Sequence, residues 1–213
     1  MIKQLRQLFA AVLCCLACVC AHADSAAPGQ FDYYLLSLSW SPSYCLTHQQ
    51  DRRQCGGMGL GFVLHGLWPQ FDSGRYPQYC ESRSDLPGQA AALGQTVYPS
   101  ARLMQHEWES HGTCSGLDAM NYFKTADRAL AVVQVPAMFE APRHNMTLTR
   151  LQIAAAFHAA NPTLPDDALT VICNREQLSE VRICLTRELT VRGCGRGVRS
   201  NCPDVALQVP SSR

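Results

Sequence analysis

The sequence predicts an α+β fold: a single domain with a central, mainly antiparallel sheet, packed by several helices and stabilised by disulfides. Three observations carry that prediction. Strand-like segments gather towards the two ends of the chain and helical ones in the middle. The 213 residues contain no internal repeat, low-complexity tract or long linker, which leaves room for one sizeable core. Eight cysteines remain once an N-terminal export segment is set aside, an even number in a chain bound for an oxidising compartment.

The elements follow in chain order. Lys3 and Arg6 precede an uncharged apolar stretch over 8–19, and Ala21-His22-Ala23 offers small residues where a signal peptidase cuts. Residues 1–23 therefore read as a signal peptide removed before Asp24. The apolar run is short for a membrane span, and no membrane association is expected. Residues 24–213 form the domain, and 25–30, small and polar, read as a frayed start. FDYYLLSLSW (31–40) is rich in aromatic and aliphatic residues and runs into Ser41-Pro42, a buried strand. A glycine-rich turn covers 56–61. Residues 62–68 have strand composition and stop at Pro69, which places His65 on or just after a sheet strand. Residues 101–114 are helical in composition up to Gly112. Helices are also expected over 120–133 and over 149–160, the latter closed by Asn161-Pro162. Strands are expected over 168–174 and 181–186, with 189–192 a candidate third.

With Lys3 and Arg6 removed, 16 basic residues face 17 acidic ones, a formal net charge of −1. That argues against gripping nucleic acid by bulk electrostatics; a polyanionic substrate would have to be held by a few placed groups. The cysteines at 45, 55, 80, 114, 173, 184, 194 and 202 include no Cys-x-x-Cys pair, so a zinc framework is disfavoured, and spacing alone selects no disulfide pairing.

Chemistry concentrates in two segments, HGLWP at 65–69 and HEWESHGTC at 106–114. Together they place three histidines and a carboxylate within about fifty residues. Imidazoles titrate near neutrality, so a folded pair can hold one protonated and one neutral ring, the minimum for general acid plus general base chemistry. His106 and His111 are five apart, about 140° around a helix, whereas a zinc helix needs its histidines at i and i+4. The i, i+4 pair is Glu107 and His111, which suits a carboxylate orienting an imidazole or both flanking one substrate. No metal or other cofactor is expected. His65 alone would read as a core histidine. Gly66 permits close backbone approach, and Trp68-Pro69 supplies a rigid aromatic wall of the kind that stacks bases or sugars. Trp40 and Trp108 read as core, and His48, His144 and His158 as surface or structural. Asn145-Met146-Thr147 is a glycosylation sequon that matters only in a eukaryotic host.

HGLWP followed by HEWxxHGTC resembles the two signature segments of the ribonuclease T2 family of acid endoribonucleases. LLSLSWSPSYC is similar to that family's first core strand and its cysteine, and Cys173 to Cys202 to its C-terminal strands; the resemblance covers roughly 31–205. It implies RNA cleavage without metal, by attack of a ribose 2′-hydroxyl on the adjacent phosphate, leaving a 2′,3′-cyclic phosphate and a free 5′-hydroxyl. His111 matches the base position and His65 the acid, with roles exchanged if the cyclic ester is hydrolysed. His106 and Glu107 match positions that bind and polarise the phosphate. Trp68 falls at a base or phosphate contact, with Gln70 and Tyr76 as further candidate base contacts. DNA, lacking the nucleophile, is not expected to react. The resemblance also implies four disulfides, Cys45 with Cys55, Cys80 with Cys114, Cys173 with Cys202 and Cys184 with Cys194. The product would be a monomeric enzyme, periplasmic or secreted.

Two departures stand out. Many members carry Lys immediately before the second motif's last histidine; Ser110 stands here. A cation is thereby missing unless Arg75, Arg102 or Lys124 substitutes in space, and a reduced rate is expected. Gln70 stands where some fungal members have Asp as a base-reading acceptor, so no purine preference carries over. A metal-dependent hydrolase and a non-catalytic exported RNA-binding module on the same fold remain as rival readings.

Overall fold

The computed structural model of the protein describes residues 27–81 and 85–212, so the expected signal peptide lies outside the described residues. Its frame is a sheet of β1 (Tyr33–Trp40), β2 (Phe62–Gln70), β3 (Met146–Leu148), β4 (Leu169–Asn174), β5 (Gln177–Leu185) and β6 (Leu207–Val209). The order is β2-β1-β5-β6-β3, with β4 also paired to β5. Every pairing is antiparallel except β5 with β6, which meet in parallel at Gln177 and Gln208. The α+β prediction with a mainly antiparallel sheet is what the structure shows.

Period-two alternation sorts the central strand into two faces. Tyr34, Leu36, Leu38 and Trp40 join the main core with Leu64, Leu67, Val181, Ile183 and Leu185. Tyr33 and Leu35 turn the other way, where with Cys184 and Trp68 they form a smaller cluster. Both faces are covered over Tyr33 to Leu36, which is why that half of the strand reads as continuously apolar, while Ser37 and Ser39 continue the second face as polar residues.

Helices α1 (Ser41–Cys45), α2 (Arg52–Cys55), α3 (Gly88–Val97), α4 (Ala101–Ser110), α5 (Ala119–Leu130) and α6 (Arg150–Ala160) complete the described fold, with 3₁₀ turns at Gly112–Ser115 and Ala137–Phe139. Local chemistry starts the site helix: Ser100 Oγ accepts from Leu103 N at 3.2 Å, an N-cap for α4. A full capping box of Thr149 and Gln152 opens α6.

Several expectations need correction. β2 continues through Pro69 to Gln70, because it is an edge strand, where a missing N–H costs no ladder bond. β5 begins at Gln177, four residues earlier than expected, and over 189–192 only an isolated Leu185–Val191 bridge forms. The expected frayed start is tied down from Gly29, whose N–H donates to Cys114 O at 2.9 Å. Helix α3 was not anticipated. Gly94, buried in its middle, lies where an added Cβ would come within 2.6 Å of Met104 and 3.0 Å of Phe123, so close packing overrides poor helix propensity.

The four disulfides pair as the resemblance implied: Cys45–Cys55, Cys80–Cys114, Cys173–Cys202 and Cys184–Cys194. Cys80–Cys114 anchors the loop after β2 to the end of the site helix, reinforced by Tyr79 N donating to Ser110 O at 3.0 Å. Among the described residues no helix is long and apolar enough to cross a membrane.

Candidate active site

His65 owes its position to an irregularity in the sheet. Ser37 pairs with Gly66, but Leu38 pairs with Leu64, so His65 is the extra residue of a β-bulge. Bulges re-aim side chains. Here the result is an imidazole between two carboxylates: Nδ1 lies 2.8 Å from Glu180 Oε1, and Nε2 lies 3.6 Å from Glu107 Oε1. Gly66 is required beside it, because any Cβ there would collide with the Glu107 carboxylate and the Trp68 indole.

The second segment supplies α4 and its exit. Glu107 is buried on the helix, and the Trp68 indole Nε1 donates to its Oε2 at 2.6 Å. His111 caps the helix through its own N–H, which donates to Glu107 O at 3.0 Å. Its ring is buried, and Nδ1 has no hydrogen-bond partner among the described residues. Gly112 lets the chain turn immediately after it, since a Cβ there would strike the Trp108 and Tyr122 rings. Trp68 stands between the two imidazoles, with ring centroids 5.1 Å from His65 and 5.3 Å from His111.

These surroundings drive the titrations apart. Burial opposes charge on His65, but the Glu180 hydrogen bond and the two carboxylates outweigh it and raise its pKa above the ordinary imidazole value. Burial, reinforced by the positive charges of His106 and His65, pushes His111 down to about 3. Burial lifts Glu107 to about 7 against the pull of His65 and the indole hydrogen bond. Burial also acts to raise Glu180, yet the hydrogen bond and charge of His65, with Arg182, hold it at about 2.

Not every expected residue shares one cleft. His111, Trp68, Gln70 and Tyr76 line a cleft of about 290 Å³ with Gln78 and Arg182. Gln70 is buried there and Tyr76 exposed. His65 opens instead into a neighbouring cleft of about 200 Å³ bordered by Tyr44, Ser100 and Glu180. His106 is exposed on a third, beside Arg102, and its Nδ1 lies 3.4 Å from Ser110 Oγ. Trp40 and Trp108 are core, as expected, and His48 stacks on Tyr44 at 4.1 Å.

Sequence reasoning missed Glu180 and Arg182. Both belong to the polar face of β5, opposite Ser39 and Ser37 of β1. Two charges at period two in a strand normally signal a solvated face, so only the tertiary structure could reveal them. Of the three cations considered as substitutes at Ser110, none lines the His111 cleft; Arg182 and Arg199 do. Ser110 itself is fully buried. Among the described residues no group of three or more His, Cys, Asp or Glu side chains could hold a metal ion.

The model of the family described as Ribonuclease T2 family matches residues 31–194, which include both histidine segments, β1, β2 and β5. The chain belongs to the ribonuclease T2 family. It is 50% identical over 99 residues to a ribonuclease of Aeromonas hydrophila, an alignment covering 46% of this chain and 44% of that protein. It is 30% identical over 190 residues to a probable ribonuclease of Haemophilus influenzae, covering 81% of this chain and 64% of the other. The chain thus spans less than two thirds of the length of these curated relatives. Its fold is similar to that of RNase NT in complex with 5′-AMP, with a TM-score of 0.61, 25% identity, and coverage of 85% of this chain and 98% of that one.

Proposed function

We propose that the protein is a metal-independent endoribonuclease that cleaves single-stranded RNA by transphosphorylation. One observation carries the reading: two imidazoles flank the same tryptophan, one held charged by carboxylates and the other held neutral by burial. Neutral His111 accepts the proton of the ribose 2′-hydroxyl as its oxygen attacks phosphorus. Protonated His65 gives a proton to the departing 5′-oxygen, which leaves a 2′,3′-cyclic phosphate and a 5′-hydroxyl. Glu107, with its pKa raised to about 7, carries a proton at mildly acid pH and can donate it in a hydrogen bond to a non-bridging oxygen. His106 binds the phosphate from the exposed side of α4, while Trp68, Gln70 and Tyr76 contact a base. The roles of the histidines reverse when water opens the cyclic ester. All groups named come from one chain, so a monomer suffices.

RNase NT is known in complex with a nucleotide, 5′-AMP, which supports a nucleotide-binding cleft on this fold. Export is part of the proposal: residues 1–23 act as a signal peptide and 24–213 work as a single domain in the periplasm or outside the cell, where four disulfides are stable.

The deciding experiment incubates the purified mature protein with RNA and with DNA in EDTA and analyses the ends. RNA products bearing cyclic phosphate, untouched DNA, and loss of cleavage in a folded His111→Ala variant are expected. Activity that vanishes in EDTA would replace this reading with a metal-dependent hydrolase. RNA binding without cleavage would replace it with a binding module.

A further inference from the structure

The site poses an electrostatic problem. Glu180 lies as a carboxylate 2.8 Å from His65, and the scissile phosphate would bring a further negative charge that grows in the phosphorane transition state. A site that faces charge development of this kind needs a fixed cation. The position immediately before His111 on α4 supplies none, because Ser110 is neutral and fully buried, and His106 is exposed on a different cleft. The cleft that holds His111 does contain one that is rigidly mounted. Arg182 lines it, with its guanidinium carbon 5.0 Å from the centroid of the Trp68 ring. Its Nε and one terminal nitrogen both lie 2.7 Å from Glu180 Oε2. Arg199 lines the same cleft but is exposed.

From this geometry we infer that Arg182 is the cation that binds the scissile phosphate, and that Glu180 positions both Arg182 and His65. The inference rests on the endoribonuclease reading above. Glu180 is suited to a double role because its two oxygens are divided: Oε1 meets His65 Nδ1, while Oε2 takes Arg182 and the Ser37 hydroxyl, which donates at 3.0 Å. The carboxylate fixes the imidazole so that Nε2, the proton-donating nitrogen, turns away from the sheet towards Glu107. Two of the five guanidinium donors are spent on Glu180, which leaves others for a phosphate oxygen. The aromatic face of Trp68 steers the guanidinium plane. Strand periodicity makes the unit: residues two apart on β5 share a face, so Glu180 and Arg182 arrive together. Arg182 is thus a catalytic residue, and Glu180 a positioning one.

The test compares wild type, Arg182→Ala, Arg182→Lys and Glu180→Gln on an RNA oligonucleotide and on a nucleoside 3′-(4-nitrophenyl phosphate), whose leaving group needs no proton. Arg182→Ala should lose about 100-fold or more in kcat/KM on both substrates, with part restored by millimolar guanidinium, and Arg182→Lys should retain roughly a tenth. Glu180→Gln should lose about tenfold to 100-fold on RNA but under about fivefold on the nitrophenyl ester. Its alkaline limb in the pH profile of kcat/KM should move to lower pH, by roughly one unit, because His65 has lost a carboxylate partner. A mere sheet-stabilising pair would move neither the pH limb nor the leaving-group dependence. Arg182→Ala within about threefold of wild type on both substrates, or Glu180→Gln with an unmoved pH profile, overturns the inference. Should Arg182→Ala fail to fold by circular dichroism, Arg182→Lys decides, since full activity there on both substrates also overturns it. Wild type that leaves no cyclic phosphate on RNA would sink the endoribonuclease reading itself, a separate outcome.

Discussion

The sheet side and the helix side of the site hold the same side chain in opposite settings. On β2, His65 is 30% exposed at its side chain and pinned between the carboxylates of Glu107 and Glu180. At the end of α4, His111 is 7% exposed and its Nδ1 finds no hydrogen-bond partner among the described residues. The first setting raises the imidazole pKa and the second lowers it to about 3. The difference teaches that a residue's type sets what chemistry it can do, while desolvation and neighbouring charges choose which half of the acid–base pair it becomes.

The comparison breaks most visibly by removing one partner. His111→Ala should lower RNA cleavage by about 10³-fold or more, measured as kcat/KM at mildly acid pH. His65→Ala should be nearly as damaging on RNA but far less so on a substrate with a nitrophenolate leaving group, because only the acid is spared there. Equal losses on both substrates would show that the assignments are wrong.

Next in size is the scaffold under His111. Replacing Cys80 and Cys114 with Ser should cost about 3–4 kcal/mol in the chain-entropy view, read by denaturant unfolding, because their closure spans 34 residues. Opening Cys45–Cys55, with a separation of 10, should cost less and leave turnover intact. A common loss of activity in both variants would deny the helix side its special dependence on its tether.

A smaller effect probes the carboxyl between the two sides. Glu107 has its pKa raised to about 7 from an ordinary 4.5. Between those values the folded protein holds a proton that the unfolded chain has released, so stability falls as pH climbs through that window. Glu107→Gln should therefore gain on the order of 1–3 kcal/mol at pH 8 and nothing at pH 4, while losing activity. His111 has the opposite sign: its unfolded form takes up a proton first, so its contribution is lost as pH falls from 6.5 through about 3. A Glu107→Gln melting temperature that tracks wild type at every pH would refute the burial argument.

The smallest expected effect is a sharpened profile rather than a loss. Wild-type kcat/KM should hold across mild acid and fall on the alkaline side above pH 6.5, as His65 gives up its proton. A profile flat from about pH 5 to pH 8 would leave no place for an acid of this kind.

Much of this was legible in the residues. The motifs HGLWP and HEWESHGTC named His65, Glu107 and His111, and their glycines signalled tight packing that Gly66 and Gly112 do provide. Strands 31–40 and 168–174 and the α4, α5 and α6 helices were readable because their periodicity and caps are local. Helix α3 was not, since two glycines flank the alanine and leucine run of GQAAALGQTV and no apolar stripe marks it; Gly94 is accommodated only because Met104 and Phe123 lie against that face. Pro69 hid the last residues of β2, because an edge position cannot be told from a strand end along one chain.

The sequence by itself determined the family, the candidate site residues and the set of cysteines, because each is a matter of residue type and local spacing. Tertiary structure alone decided that Glu180 reaches His65 across 115 positions of chain, that Arg182 faces Trp68 and His111, and that the two imidazoles titrate apart. The physical reason is that charge states and ion pairs depend on burial and distance. Those are set here by the antiparallel register of β1 with β5 and by a single bulge at His65.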